Sequence, residues 1–295
     1  MSAGSRLTKT FEEALRLPLD SRTKYILFSD CHRGTGSAND NFLKNEHLYL
    51  AALNYYYQKG FTYLELGDGD ELWENRSLQS IKEMHRQSFD LMAKFYKSGR
   101  FYAIYGNHDM AKKASGYPAK YCHTYYCEHS LGERPLFPGI VFYPGIILCD
   151  CLKRNDVYLT HGHQSSLLNS SFWRLARFLV RYIWKPIEGI GVPDPTSAAK
   201  NNKKKKQAEQ ILFNWAKQNH HILITGHTHR PIAGSASSPY LNTGSCIHPS
   251  GITGIEIENR CMTLVKWSVA ARSDLSLFVS RDILGETVCV DEVSI

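Results

Sequence analysis

Apolar runs alternate with amphipathic stretches along the first third of the chain. Three β-rich runs, KYILFS, YLELG and FYAIYG, begin at Lys24, Tyr63 and Phe101. Helical periodicity between them predicts one helix from about Phe42 to Lys59 and another from about Leu78 to Lys97, each followed by a glycine. This order of strands and helices is typical of an α/β fold with a largely parallel sheet.

The second half of the chain also contains predicted strands, which lie on both sides of a helical region. After Pro138, the runs GIVFYPGIILC and DVYLTHG predict strands, and HILITG, YLNTGSC and GITGIEIENRCMTLVKW predict more, with a hairpin turn at Glu258 to Arg260. Between these groups, residues 164–219 have a predominantly helical pattern that is broken near 189–195. We expect residues 1–295 to form one domain, in which 164–219 is a helical insertion that could act as a lid.

Composition limits the classes of protein to which this chain can belong. Hydrophobic residues make up 43% of the 295 residues and charged residues 21%, which is enough to bury a full core. The eight cysteines do not resemble a secreted disulfide framework, because the chain is long and its first residues lack the apolar stretch of a signal peptide. No run approaches the ~18–20 apolar residues of a membrane span. A cytoplasmic protein is expected.

The net charge of +7 is unevenly distributed. Lys203 to Lys206 form one run, and the segment 171–187 mixes aromatic residues and leucines with Arg174, Arg177 and Arg181. Such a helix either packs on the core or lies on an anionic membrane, which would place the protein at the inner face of that membrane. The lysine run is either a solvated surface or a region that attracts phosphate, nucleic acid or a membrane.

Side chains that bind metal ions follow directly after five predicted strands. The five groups are Ser29-Asp30-Cys31-His32, Gly67-Asp68-Gly69-Asp70-Glu71, Gly106-Asn107-His108-Asp109, Thr160-His161-Gly162-His163 and Gly226-His227-Thr228-His229. Each is weak evidence by itself, since polar residues are common in turns. Five such groups in order are not expected by chance, and the carboxyl ends of parallel strands share one edge, where α/β folds place their sites.

The ordered set resembles the calcineurin-like metallophosphoesterase superfamily, through the motifs D-x-H, G-D-x-x-(D/E), G-N-H-D, a lone H and G-H-x-H between about Tyr25 and Trp267. The resemblance implies a four-layer α/β/β/α sandwich that holds two metal ions and hydrolyses phosphoesters by attack of a metal-bridging hydroxide. The implied ligands are Asp30, His32 and His229 for one ion, Asn107, His161 and His227 for the other, and Asp68 as the bridge between both.

This chemistry suits the residue types. Two divalent ions ~3.5–4 Å apart clamp the attacking and the leaving oxygen of a phosphoester. Imidazole, carboxylate and amide ligands suit Mn, Fe, Zn, Co or Ni better than Ca or Mg, and Mn is expected first. The resemblance further implies that His108 faces the leaving group, as a general acid or as a donor to a phosphate oxygen.

Several neighbouring residues have two interpretations. Glu71 either orients His108 or is a carboxylate at a helix N-terminus. Arg33 and Arg230 either bind a substrate phosphate with paired donors or are ordinary surface arginines. We expect Asp109 to accept hydrogen bonds behind the ligands, and Cys31 to be a packed side chain. His163 lies either behind the ligands or on the surface. Whether the cysteines 122, 127, 149 and 151 bind zinc is also open, since their spacing fits no strong zinc pattern.

The sequence defines the class of enzyme more closely than its substrate. The insertion, the sequence GDGDE and the ending GHTHRP also resemble the UDP-2,3-diacylglucosamine pyrophosphohydrolases, whose lid holds acyl chains. His108 stands where that branch typically has an arginine, and a histidine there favours esters with alkoxide leaving groups. We therefore expect a hydrolase of phosphomono- or phosphodiesters, with a nucleoside-diphosphate-lipid pyrophosphohydrolase as the alternative and a nuclease third. A binding module is disfavoured, because all seven ligands are present.

Overall fold

A computed structural model of the protein describes residues 1–37, 39–127, 131–184 and 202–294. The strands are β1 (Leu15–Leu19), β2 (Lys24–Phe28), β3 (Thr62–Leu66), β4 (Phe101–Ile104), β5 (Thr124–Cys127), β6 (Gly132–Pro135), β7 (Phe142–Tyr143), β8 (Ile146–Asp150), β9 (Val157–Leu159), β10 (Ile222–Thr225), β11 (Tyr240–Asn242), β12 (Ile252–Glu258), β13 (Cys261–Ala271), β14 (Leu277–Ile283) and β15 (Val288–Cys289). The α-helices are α1 (Ala3–Glu12), α2 (Glu46–Gln58), α3 (Leu78–Met84), α4 (Arg86–Lys97), α5 (Tyr117–Tyr121), α6 (Leu167–Ser170), α7 (Trp173–Leu179) and α8 (Asn202–Gln218). A π-helix, Val180–Trp184, continues α7.

Two sheets contain most of the strands. The larger sheet has the order β14-β13-β12-β2-β3-β4-β7, with β15 also paired to β13, and the smaller has the order β1-β8-β9-β10-β11. The predicted parallel unit is confirmed, because β2 pairs in parallel with β3, and β3 with β4. In the smaller sheet β9, β10 and β11 are parallel, whereas β8 and β9 are antiparallel.

Three apolar clusters separate four layers. One lies between the sheets and includes Leu66 from the larger sheet and Ile224 from the smaller one. A second joins the larger sheet to α2 and α4, and includes Tyr49 of α2. A third joins the smaller sheet to α1 and α8 through Leu7 and Leu212. The order helix, sheet, sheet, helix is the α/β/β/α sandwich that was expected.

Two details differ from the sequence pattern. The predicted helix from Leu78 to Lys97 is broken at His85, which ends α3 and begins α4. The ring of His85 is buried, with Nε2 2.9 Å from Asp40 and Nδ1 3.2 Å from Glu46, and these contacts hold it at the junction. The first 20 residues, for which the sequence analysis predicted no element, form α1 and β1.

The C-terminal strands fit the pattern with one addition. The predicted hairpin turn is confirmed: Asn259 and Arg260 have positive φ angles of 52° and 63° between β12 and β13. A disulfide joins Cys261 to Cys289, which the cysteine spacing did not indicate. The register places these cysteines directly opposite each other on β13 and β15, and therefore brings residues 28 positions apart into contact.

Helices occupy the described parts of the predicted insertion, with α6, α7 and the π-helix before the gap and α8 after it. The predicted break near 189–195 lies outside the described residues. No helix in the described ranges has the length and apolar character needed to cross a membrane.

Candidate metal centre

The loops that follow strands of both sheets bring the predicted ligands together. Nε2 of His229, after β10, lies 3.1 Å from Oδ1 of Asp30, after β2. Nε2 of His161, after β9, lies 3.1 Å from Oδ2 of Asp68, after β3. Nε2 of His32 is 3.3 Å from Nε2 of His229. These contacts place the ends of both sheets at one edge of the sandwich.

The candidate ligands form two groups. The groups, each with potential ligand atoms within 4.8 Å of one another, are Asp30, His32 and His229, and Asp68, His161 and His227. Oδ2 of Asp68 is also 3.8 Å from Nε2 of His32, so this carboxylate faces both groups. Asp68 therefore lies between the two groups, and the assignment of ligands to two ions, including Asn107, stays a prediction.

The backbone of these loops adopts a conformation that most residues avoid. Eleven non-glycine residues in the described ranges have a positive φ, and five of them are candidate ligands: Asp30, His32, Asp68, His227 and His229. Such a conformation costs a non-glycine residue of order 1–3 kcal/mol and persists where surrounding contacts impose it, often at functional sites. The strain therefore coincides with the ligand groups.

Three buried polar atoms of the centre form no well-aligned hydrogen bond among the described residues: Oδ1 of Asp30, Oδ1 of Asn107 and Nε2 of His161. The 3.1 Å contacts of Asp30 with His229 and of His161 with Asp68 are close approaches of ionisable groups without hydrogen-bond geometry. An unpaired buried polar atom costs about 1–3 kcal/mol. Nδ1 of His161 lies 2.9 Å from the carbonyl oxygen of Leu66, to which it donates its proton in the neutral tautomer. That leaves a lone pair on Nε2, which is the usual arrangement of a metal-binding histidine. The donor set therefore fits a cation.

Electrostatics in the centre favour positive charge between the carboxylates. Burial opposes ionisation of Asp30 and Asp68, but the surrounding imidazoles lower the pKa of both. Burial by itself would lower the pKa of His161, but Asp68 and Asp30 raise it to about 9. Burial, together with the neighbouring His161, lowers the pKa of His227 to about 3. A divalent cation would supply the positive charge that these carboxylates otherwise obtain from a proton.

His108 is held from two sides next to the ligands. Its Nδ1 lies 2.8 Å from the carboxylate of Glu71. Its ring stacks on the indole of Trp73, with centroids 4.2 Å apart and an interplanar angle of 22°. The side chain is 22% exposed, whereas that of His161 is completely buried. His108 therefore reaches the open side of the centre in a fixed orientation.

Glu71 contacts two histidines through one carboxylate. Oε2 lies 2.8 Å from Nδ1 of His32, and Oε1 lies 2.8 Å from Nδ1 of His108. Oε1 also accepts the backbone N–H groups of Trp73 at 3.2 Å and Glu74 at 3.3 Å. Glu71 therefore contacts His108, as an orienting residue would, and accepts backbone N–H groups, as a carboxylate at a helix N-terminus would. These N–H groups belong to a turn and not to a helix. Glu71, His32 and His108 form a further group of potential metal ligands, but the contacts of 2.8 Å suit direct hydrogen bonds.

The structure corrects the expectation that Arg33 binds a substrate phosphate. Its side chain is 1% exposed, and its guanidinium contacts Glu65 at 2.8 and 3.0 Å and Asp70 at 2.7 Å. Lys112 contacts Asp70 and Asp109, at 2.7 Å each. Since the donors of Arg33 are engaged in the core, the side chain is neither a surface arginine nor available to a substrate. Asp109, as expected, accepts hydrogen bonds behind the ligands.

Arg230 and His163 lie on the side of the smaller sheet. Arg230 is half-exposed and pairs with Glu209 of α8, with Nε 3.0 Å from Oε1. His163 is buried rather than on the surface, its Nδ1 has no partner among the described residues, and its ring centroid is 5.6 Å from that of His161. Burial and the charge of His161 hold the pKa of His163 well below its usual value.

Two residues near the centre were not candidates from the sequence. Trp73 stacks on His108, and the only signal for it was its position two residues after Glu71. Asn169 of α6 places its side-chain amide 3.5 Å from Nε2 of His227; no motif indicated this contact. Cys31 is buried, as expected for a packed side chain. Cys122, Cys149 and Cys151 join none of the ligand groups formed by the described residues, and neither the side chain of Cys127 nor His129 is described.

The fold and the side chains at the strand ends define a metal-binding α/β/β/α protein. The family model described as calcineurin-like phosphoesterase matches residues 23–231, which include all five groups. The chain therefore belongs to the calcineurin-like phosphoesterase family and is a metal-dependent hydrolase of phosphoric esters. None of the curated proteins compared with it matches. Among solved structures, Vps29 of Chaetomium thermophilum matches with a TM-score of 0.42 and 10% identity, over 91% of this chain and 98% of that chain.

Proposed function

We propose that the protein is a binuclear phosphoesterase that hydrolyses phosphomono- or phosphodiesters. The observation that supports this most is the set of buried atoms without a well-aligned hydrogen bond, in two ligand groups that both lie near the carboxylate of Asp68. The proposed ligands are Asp30, His32 and His229 for one ion, Asn107, His161 and His227 for the other, and Asp68 for both. When bound, two divalent ions, Mn first and Fe, Zn, Co or Ni as alternatives, polarise the phosphoester and supply a water-derived nucleophile.

In this proposal His108 acts on the leaving group. With Nδ1 directed at Glu71, Nε2 is the ring atom left to meet the leaving oxygen. Burial lowers the pKa of His108, but Glu71 and Asp68 raise it above its usual value. The imidazolium can therefore carry the proton that an alkoxide needs as it departs, as a general acid does. Arg230, whose guanidinium is half-exposed beside His229, is the remaining arginine proposed to contact the substrate phosphate.

Metal analysis of purified protein, coupled to a panel of mono-, di- and pyrophosphate esters, tests this function. About two ions per chain are expected, since a clamp of this type needs both. Asp68→Asn should lower the content of both ions and abolish turnover, whereas Asp282→Asn, in β14, should change neither. Full activity of Asp68→Asn with about two ions per chain would contradict the binuclear proposal.

A second candidate function rests on the outer side of the insertion. The side chains of Phe172, Leu175 and Phe178 are 52–58% exposed, while Ala176 and Val180 pack on Trp73. The segment thus packs on the core and also presents an apolar surface beside Arg174. Exposed apolar and basic side chains suit a lid for a lipid-linked substrate at the inner face of a membrane, as in a nucleoside-diphosphate-lipid pyrophosphohydrolase.

Flotation with anionic liposomes distinguishes the two candidates. A membrane-facing insertion should bind at low salt and release as salt rises, because charge attraction is screened over ~8–10 Å at ordinary ionic strength. Absence of binding, together with rapid turnover of small soluble esters, would leave only the packing role. Turnover of a lipid-linked pyrophosphate alone would replace the first proposal. Single-stranded DNA in the same panel tests the nuclease alternative suggested by Lys203 to Lys206.

A further inference from the structure

The insertion contacts the turn that carries Glu71 and Trp73. Arg181, in the π-helix, donates from Nε to the carbonyl oxygen of Trp73 at 2.7 Å, and from Nη2 to those of Leu72 at 2.6 Å and Asn75 at 3.2 Å. A planar guanidinium can satisfy several carbonyl groups at once in one fixed geometry. Arg181 is thus bound to the backbone of the turn rather than to a carboxylate.

Hydrogen bonds hold both the N–H groups and the carbonyl groups of the turn 71–75. The carboxylate of Glu71 accepts the N–H groups of Trp73 and Glu74, and the N–H of Asn75 donates to the carbonyl oxygen of Glu71 at 3.2 Å. Arg181 occupies the carbonyl side. Removal of its donors would leave part-buried carbonyl oxygens without their partner, which is costly and favours rearrangement of the turn.

The same turn supplies both groups that orient His108. Its first residue, Glu71, meets Nδ1 of the imidazole, and its third, Trp73, stacks on the ring. The far side of Trp73 belongs to a buried cluster with Ala176 and Val180, the residue that precedes Arg181. A continuous set of contacts therefore runs from the π-helix through the turn to His108. π-Helices are rare and occur frequently at functional sites.

We propose that Arg181 is a positioning residue for His108, so that the insertion is part of the catalytic apparatus. Arg181 fixes the turn, and the turn fixes the imidazole through Glu71 and Trp73. The inference rests on the proposed function of His108 in catalysis. It assigns no contact between Arg181 and the substrate. Because Glu71 also contacts Nδ1 of the proposed ligand His32, the inference further requires that Arg181→Gln keep the metal content of the wild type, so that its catalytic effect passes through His108.

A double-mutant cycle tests this dependence. Arg181→Gln should lower kcat for an alkyl phosphoester about 10–10²-fold, since displacing a reacting group by ~1 Å can cost that much. In the His108→Ala background the same substitution should cause no further loss, because coupled residues are not additive. Arg272→Gln is the matched control: Arg272 is exposed between β13 and β14, outside the insertion, and lies over the ring of Phe278. It should leave kcat unchanged in both backgrounds.

A second readout does not depend on activity. In metal-free protein labelled with ¹³C-histidine, the signal of His108 is identified by its loss in His108→Ala. Because the ring stacks on Trp73, its chemical shift contains a ring-current contribution from the indole. Arg181→Gln should move this signal, and Arg272→Gln should leave it in place.

The possible results separate the inference from the proposed function. An unmoved His108 signal, or an equal loss of kcat in the wild-type and His108→Ala backgrounds, would overturn the role of Arg181. The dependence of His108→Ala on the leaving group tests the proposed function separately. If Arg181→Gln does not fold, Arg181→Lys serves instead, since one ammonium can still reach part of the carbonyl set. It should give a smaller loss that is again absent in the His108→Ala background.

Discussion

Two buried polar clusters lie side by side in this protein and differ in how completely they are paired. One is the set of candidate ligands, in which buried atoms of Asp30, Asn107 and His161 form no well-aligned hydrogen bond among the described residues. The other, which we call the Arg33 network, consists of Arg33, Glu65, Asp70, Asp109 and Lys112. Its ion pairs are 2.7–3.0 Å long, and none of its buried side-chain atoms lacks a hydrogen-bond partner in the described ranges.

The same loops supply both clusters. Arg33 follows His32 directly, Asp70 comes two residues after Asp68, and Asp109 comes two residues after Asn107. Neighbouring side chains therefore have different roles. Those of the Arg33 network pair with one another and connect the loops, whereas the candidate ligands can bind a cation. Changes in the ligand cluster should affect activity most, and changes in the Arg33 network should affect folding most.

Among changes that leave the proposed ligands intact, the largest effect is expected at His108, beside the ligand cluster. General acid assistance is typically worth ~10²–10⁴ in rate, so His108→Ala should reduce hydrolysis of an alkyl phosphoester by about that factor. A p-nitrophenyl ester, whose leaving group is already stable, should lose far less. Steady-state kinetics with both esters and metal analysis provide the measurement, and metal content should persist. Equal losses for the two esters would mean that His108 stabilises phosphate charge instead of donating a proton.

Arg33→Met should mainly affect stability. It leaves two buried carboxylates, Glu65 and Asp70, without their shared partner, and breaking a buried ion pair in this way typically costs about 3–5 kcal/mol. Urea unfolding of metal-free protein should show this loss. The control is Arg22→Met, an exposed arginine, with an expected change near zero. A variant that retains wild-type stability but loses turnover of every ester would restore a direct role for Arg33 at the substrate.

Metal ions should stabilise the ligand cluster by a smaller amount. At a free concentration about 100 times Kd, binding to the folded state adds about 2.7 kcal/mol to the free energy of unfolding. Thermal unfolding with and without Mn²⁺ should therefore show a rise in Tm for the wild type. The rise should be smaller in His161→Ala, which removes a proposed ligand of one ion only, and should be kept in full in Arg22→Met. An equal rise in His161→Ala would place the stabilising ion elsewhere.

The smallest effect concerns His85, a buried histidine with carboxylates on both sides. Burial lowers its pKa, but Asp40 and Glu46 raise it above the usual value of 6.5. Because the folded-state pKa is the higher one, its stabilising contribution is complete below about pH 6.5 and is lost as pH rises through the folded-state pKa. Wild-type stability should fall relative to that of His85→Gln as pH rises above about 6.5. A constant difference between the two proteins would contradict this.

The sequence by itself determined the class of this protein. Short apolar runs that end in polar groups predicted the unit of β2, β3 and β4. Residues within a buried strand must be apolar, whereas the residues after the strand can be polar and can take part in binding or catalysis. The order of those groups indicated the family, and the family model confirms it over residues 23–231. The ligand set remains a prediction, with which the two groups around Asp68 agree.

Only the tertiary structure decided which side chains turn toward the centre. Arg33 follows a candidate ligand yet points into the core. The positive φ angles at Asp30 and His32 change the direction of the chain there, and carboxylates of β3 and of the loop after it form ion pairs with the guanidinium. Trp73 meets a ring 35 positions along the chain, and Arg181 meets a turn more than 100 positions away. Such contacts depend on how two sheets and an insertion pack, and packing between distant residues leaves no periodic signal in the sequence.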